Sequence, residues 1–176
     1  TQGVSSAASD VYKRQAEDGY FVILPDLFYR FGILRFPFRS PNTAAIWKEA
    51  MRNLSNANVV DDTRAMLEYM EAHDAVKDGP KATIGYCMSG RFVTVAAGTF
   101  PDVFAANASL YGVGIVTSQD DSAHYHVKDI KGEMYFGFAE TDGTVPSYVV
   151  PTLQAELDKH GTEYVLETHP GTSHGF

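Results

Sequence analysis

Cysteine occurs once in the 176 residues, at Cys87. It sits in Gly85-Tyr86-Cys87-Met88-Ser89-Gly90, after the apolar run Ala82-Thr83-Ile84 and before Arg91-Phe92-Val93-Thr94-Val95-Ala96-Ala97. A β-run, a sharp turn with small residues around one polar centre and then a helix-like run is the layout that presents a nucleophile. A thiol attacks as thiolate, and a free one with a pKa near ~8.5 is mostly protonated at neutral pH. Two features favour the anion here. The turn places Cys87 at a helix N-terminus, where unpaired N–H groups and the helix dipole stabilise negative charge. A histidine in contact can take the proton and later return it to a leaving group, provided an acid fixes its tautomer.

In a strand–elbow–helix architecture the chain order is nucleophile, acid, histidine. The histidines after Cys87 are His124, His126, His160, His169 and His174. His160 precedes the helix-ending Gly161, where favourable charge at a helix C-terminus explains it. His124-Tyr125-His126 lacks an obvious third metal ligand and reads as surface. His169 closes a strand and reads as packed. His174, between Ser173 and Gly175 after the last strand, has the place and the backbone freedom of the base. Asp142 follows a strand and precedes His174, which makes it the preferred acid, although Asp-Gly is also an ordinary turn pair. Glu140 is its nearest competitor. Asp120, Asp121 and Asp129 fall in a polar stretch that a solvated face explains.

An oxyanion needs two donors. The backbone N–H of Met88 supplies one. The other normally comes from a loop after an earlier strand, and no stretch of this sequence reads as that loop. The plainer reading of Cys87 is a buried structural thiol. Ser89, on the helix side of the turn, reads as a packing residue rather than the nucleophile.

The elements that must hold these groups alternate. Ala16-Glu17-Asp18-Gly19 reads as a last helical turn with Gly19 at positive φ. Tyr20 to Leu24 reads as a buried strand, Ala44 to Leu54 as a helix, and Val59 to about His73 as a second helix on apolar spacing. Lys81 to Tyr86 is a strand, Gly90 to Phe100 a helix and Phe104 to Leu110 a strand. Val113 to Lys131 reads as irregular, polar and exposed. Met134 to Phe138 is a strand, and a helix with Pro151 near its start ends before Gly161. Tyr164 to Thr168 is the last strand and 170–176 a loop. Alternation of this kind implies an α/β fold with a mostly parallel sheet covered on both faces. Functional groups collect at the carboxyl ends of such strands, and Arg30, Cys87, Tyr111, Asp142 and His174 each follow a predicted strand.

The net charge of 14 − 22 = −8 argues against a broad nucleic-acid surface. The aromatic and basic stretch Phe28 to Arg39 reads as a pocket rim rather than a stacking platform. A lone cysteine fits a reducing, cytoplasmic compartment, and no apolar stretch approaches a membrane span. Residues 1–15 lack an apolar period, resemble translated adapter read-through and read as non-native or disordered, leaving 16–176 as the domain.

From Ala16 to Phe176 the chain resembles the dienelactone hydrolase family, a branch of the α/β-hydrolases. The carriers are Glu17-Asp18-Gly19-Tyr20 with Leu24-Pro25-Asp26-Leu27-Phe28-Tyr29-Arg30, the Cys87 turn with Arg91, Ala139-Glu140-Thr141-Asp142 with Val145-Pro146, and Pro170-Gly171-Thr172-Ser173-His174-Gly175-Phe176. The resemblance implies an α/β-hydrolase fold and a Cys87–His174–Asp142 triad. It implies that Arg30 binds a substrate carboxylate and that Tyr111 lines the pocket. It further implies opening of a small anionic ester or lactone through an acyl-thioester, with no cofactor or metal, as in conversion of dienelactone to maleylacetate in aromatic catabolism. A monomer or weak homo-oligomer is expected. The family pattern has early strands before Ala16 and a closing helix after Phe176. The matching expectation is a partial domain, and the alternative function is an inactive hydrolase-fold fragment or binding protein. These 176 residues alone are therefore expected to be inactive and poorly soluble; turnover of a simple aryl ester, abolished by Cys87→Ala, would overturn that.

Overall fold

The computed structural model describes residues 11–32 and 40–176. They fall into two compact units, Thr1–Lys77 and Asp78–Phe176. Arg35, Phe36, Phe38 and Arg39 of the aromatic stretch, and residues 1–10, lie outside the described residues.

In the first unit, residues 11–17 are helical (α1) and end in a turn at Gly19, whose φ is +91°. Residues 11–15 of the stretch that composition sets aside belong to this helix. Helix α2, Pro41–Asn53, begins with Ser40 as N-cap: its side chain accepts from the Thr43 N–H while the Thr43 hydroxyl accepts from the Ser40 N–H. Pro41 follows at a position where its missing N–H would be unpaired anyway. Helix α3, Asn56–Glu71, is capped by Ser55 and buries Val59, Thr63 and Leu67, the apolar spacing read from the sequence. Residues 20–24 are a correction: they form no strand, and Tyr20 and Leu24 are exposed. A strand needs a hydrogen-bonded neighbour, and the described residues of this unit contain no other strand to supply one.

The second unit is a four-stranded parallel sheet in the order β1-β2-β3-β4. Its strands are β1 Lys81–Tyr86, β2 Phe104–Leu110, β3 Glu133–Thr141 and β4 Tyr164–Ser173. Strand β3 and strand β4 run further than the apolar runs that mark them. Helix α4, Ser89–Thr99, joins β1 to β2, and helix α5, Val149–His160, joins β3 to β4. Gly161 ends α5 at φ +65°, where its N–H bonds back to Asp158.

Helix α4 is buried at Gly90 and from Phe92 to Gly98, and sheet residues Gly85, Asn107, Ser109, Met134, Phe136 and Phe138 are buried with it. Ala82, Ile84, Ala106 and Val165 are exposed. The stretch 113–131 is a second correction. Its polar spacing reads as exposed, yet Ile115 and Val127 are fully buried and Ala123–Asp129 is a 3-10 helix. Five apolar residues, Ile115, Val116, Ala123, Val127 and Ile130, carry the burial. Ala123, Val127 and Ile130 stand at i, i+4 and i+7, a helical spacing too short among polar neighbours to mark the whole stretch as buried. His124 is buried too, with Nδ1 2.8 Å from the Ser122 hydroxyl. Burial lowers its pKa, which favours a neutral packed imidazole over the surface histidine expected.

Backbones meet closely where α4 crosses the segment after β2. A Cβ added to Gly90 would stand 2.5 Å from Ser109 Oγ and 2.6 Å from Gly112 Cα. Gly90→Ala is predicted to lower unfolding stability by about 1–3 kcal/mol, read as a reduced urea midpoint with an unchanged slope.

Candidate active site

Four residues of interest share one relation to the sheet. Cys87, Tyr111, Asp142 and His174 are each the first residue past the end of β1, β2, β3 and β4. Parallel strands end at the same edge, so this register delivers all four to one rim.

Cys87 has φ +54°, a conformation that costs a residue with a Cβ roughly 1–3 kcal/mol unless its surroundings impose it. They do. The Cys87 N–H donates to the Leu110 carbonyl at 3.0 Å. The Cys87 carbonyl accepts from Val113 N–H at 3.0 Å and Gly90 N–H at 3.1 Å. Ser89 Oγ lies 2.8 Å from both the N–H and the carbonyl of Tyr86, accepting from one and donating to the other. Its hydroxyl is therefore committed to closing the turn. Gly85 is required for the same closure, since a Cβ there would stand 2.5 Å from the Ser89 carbonyl oxygen.

His174 Nε2 lies 3.1 Å from Cys87 Sγ, and His174 Nδ1 lies 2.7 Å from Asp142 Oδ2. A carboxylate only accepts, so the Nδ1 proton points to Asp142 and Nε2 faces the sulfur. Asp142 Oδ1 accepts from the Thr144 hydroxyl at 2.6 Å and the Thr144 N–H at 2.9 Å. Burial pushes the Asp142 carboxyl up, but the bonds from Thr144 and His174 outweigh it and hold its pKa below the usual carboxylate range. The Asp142 side chain is only 4% exposed, against 30% for His174, so the carboxylate is enclosed and the imidazole is reachable. Such an arrangement can move a proton from the thiol to Nε2 and support the resulting imidazolium.

Tyr111, also at positive φ (+39°), is buried, and its N–H donates to the Gly137 carbonyl at 2.7 Å. Its ring meets His174 edge-on at 5.3 Å and Phe176 at 5.2 Å. Burial, then Tyr86 and Cys87, push its phenol pKa up and keep it protonated. Met88 is the N-cap of α4, directly after the sulfur-bearing residue.

The other candidates are accounted for differently. Glu140 bonds to the Gly171 N–H at 2.6 Å, and His160 pairs with Glu156 at 3.3 Å. His169 Nε2 contacts the Tyr135 hydroxyl at 3.0 Å. Arg30 belongs to the first unit, in the 3-10 turn Tyr29–Phe31. Its Nη1 and Nη2 grip the two oxygens of Asp62, each at 2.7 Å, and the Tyr29 hydroxyl donates to the same carboxylate at 3.0 Å. Sequence reasoning missed Asp62 and Thr144. Thr144 was findable: a side chain two residues after Asp in Asp142-Gly143-Thr144 fits an Asx-turn. No group of three or more potential metal ligands occurs among the described residues.

A parallel sheet with a strained turn between strand and helix, and a cysteine, an aspartate and a histidine at the ends of β1, β3 and β4, defines an α/β-hydrolase. The chain belongs to the dienelactone hydrolase family, whose sequence profile matches residues 1–176. It is a carboxylic ester hydrolase by class. It is 28% identical over 177 residues to a Synechocystis protein named "Putative carboxymethylenebutenolidase", covering 99% of this chain and 71% of that one. It is 25% identical to "Hydrolase tropI" of Talaromyces stipitatus, covering 97% of this chain and 65% of that one. The crystal structure named "Putative Dienelactone Hydrolase" from Klebsiella pneumoniae superposes with a TM-score of 0.77 at 21% identity, over 94% of this chain and 68% of that one.

A carboxylate with a depressed pKa contributes stability that is present above its unfolded pKa, near ~3.9, and lost as pH falls through the folded value. Asp142→Asn is therefore predicted to lower the thermal midpoint at pH 7. The gap to the parent protein should close as the pH is taken down to about 3, in a midpoint-versus-pH series.

Proposed function

We propose that the protein hydrolyses small carboxylic esters or lactones by acyl transfer to Cys87. His174 Nε2 takes the thiol proton as sulfur attacks the substrate carbonyl. The carbonyl oxygen becomes an oxyanion, and the Met88 N–H is assigned as one donor to it. Collapse breaks the C–O bond, and the departing oxygen takes the proton from His174. In a lactone that oxygen stays tethered to the acyl group. Water, losing a proton to His174, then attacks the thioester; the C–S bond breaks, the acid leaves, and Cys87 Sγ takes the proton back from His174 as the thiol. Asp142 holds the imidazole in the required tautomer throughout.

The observation that carries this reading is the aligned pair of contacts on His174, 3.1 Å to Cys87 Sγ on one side and 2.7 Å to Asp142 on the other. The family supports an ester or lactone substrate. An anionic ester or lactone is the proposed substrate, and Tyr111 is assigned to the pocket wall, where its protonated phenol adds no charge. Among the described residues no helix is long and apolar enough to cross a membrane. A lone cysteine fits a reducing compartment, and on that ground we place the reaction in the cytoplasm, in the breakdown of aromatic compounds.

The sole cysteine makes the test specific. With any native flanking sequence included, iodoacetamide is expected to abolish hydrolysis of an aryl ester, and Cys87→Ala or His174→Ala to lower kcat by at least about 10³-fold. A rate left untouched by complete alkylation would show that the cysteine mechanism is wrong.

A further inference from the structure

We propose that Glu140 is a positioning residue for the triad: through a hydrogen bond to the Gly171 N–H it sets where His174 emerges from β4. The inference rests on the triad reading above. Strands β3 and β4 pair in regular parallel register from Met134↔Tyr164 to Ala139↔His169, and again at Thr141↔Ser173. Between these points β3 advances two residues and β4 advances four. Strand β4 thus bulges outward by two residues immediately before His174, directly opposite Glu140. Bulges of this kind re-aim side chains beside active sites.

The bulge has two fastenings. Inside it, the Thr172 hydroxyl donates to the His169 carbonyl at 2.6 Å. Across the strands, the Gly171 N–H donates to Glu140 Oε2 at 2.6 Å. Gly171 has φ +72°, which puts its N–H in a direction that regular strand geometry does not give. The Glu140 backbone has no partner residue at the skipped register position, so the side chain makes the cross-strand link in its place. Glu140 stands two residues before Asp142 and Gly171 three before His174, so this bond ties together the two arms that carry acid and base. Asp142 already has both oxygens engaged by Thr144 and His174, which leaves Glu140 the bracing task and not the acid role.

Triad geometry is read directly by the alkylation rate of Cys87, because a thiol paired with a correctly held histidine has more thiolate at neutral pH. In the full chain, Glu140→Ala is expected to slow iodoacetamide alkylation by about three- to tenfold, with the thermal midpoint little changed. Glu140→Gln keeps an acceptor oxygen and is expected to react at the parent rate. Should the alanine variant not fold, Glu140→Asp, which retains the charge but shortens the reach, is read instead and is expected to be slow. An unchanged rate in Glu140→Ala, or a glutamine variant as slow as Asp142→Asn, would overturn the proposal. His174→Ala serves as the control: if it leaves the rate unchanged, the triad reading fails, and not the brace alone.

Discussion

The site depends on one constraint, the parallel register of β1 to β4. Every strand runs the same way, so every strand ends at the same rim, and the first residue past each end is a candidate for chemistry. Tyr86, Leu110 and Gly137 are register partners across three strands. Strand β3 continues four residues past that line before Asp142 appears, and β4 continues with it. The longer pair reaches out with Asp142 and His174, while the shorter pair stops at Cys87 and Tyr111. Reach along the strands, more than any loop, decides which side chains meet.

Strain is the counterpart of that constraint. Cys87 and Tyr111 are the described non-glycine residues at positive φ, and both follow directly on a strand end. Each is held by main-chain hydrogen bonds to a neighbouring strand or its exit: Cys87 to Leu110 and Val113, Tyr111 to Gly137. Hydrogen bonds of this number over-determine the backbone, which is how an unfavourable conformation persists. The small residues around them follow. Gly85, Gly90 and Gly112 have no space for a Cβ because α4 and the strand exits crowd the turn.

Much of this was legible in the residues. Strands β1 and β2 match their sequence limits, because apolar runs ended by turn residues carry their own boundaries. The order Cys87, Asp142, His174 was readable because strand–turn–helix logic constrains it, and the structure brings these three together at His174, 2.7 Å from Asp142 and 3.1 Å from Cys87. What escaped were relations between segments far apart in the chain. The burial of 113–131 depends on a few apolar side chains packing against α4, a partner that their short helical spacing does not reveal. Residues 20–24 have strand composition, but pairing is a property of two segments, and composition describes one. Asp62 meets Arg30 across thirty-two positions, a contact that only folding reveals.

The bulge before His174 has a bearing on how this arm can vary in length. Side chains alternate faces along a strand, so the two extra residues of β4 return His174 to the face it would occupy without them. A single inserted or deleted residue between His169 and Ser173 would turn the histidine away from the sulfur, while a change of two would alter only its reach. Length variation tolerated in this arm should therefore come in pairs of residues, and a library built on this scaffold can lengthen or shorten the histidine arm in steps of two without losing its handedness toward Cys87.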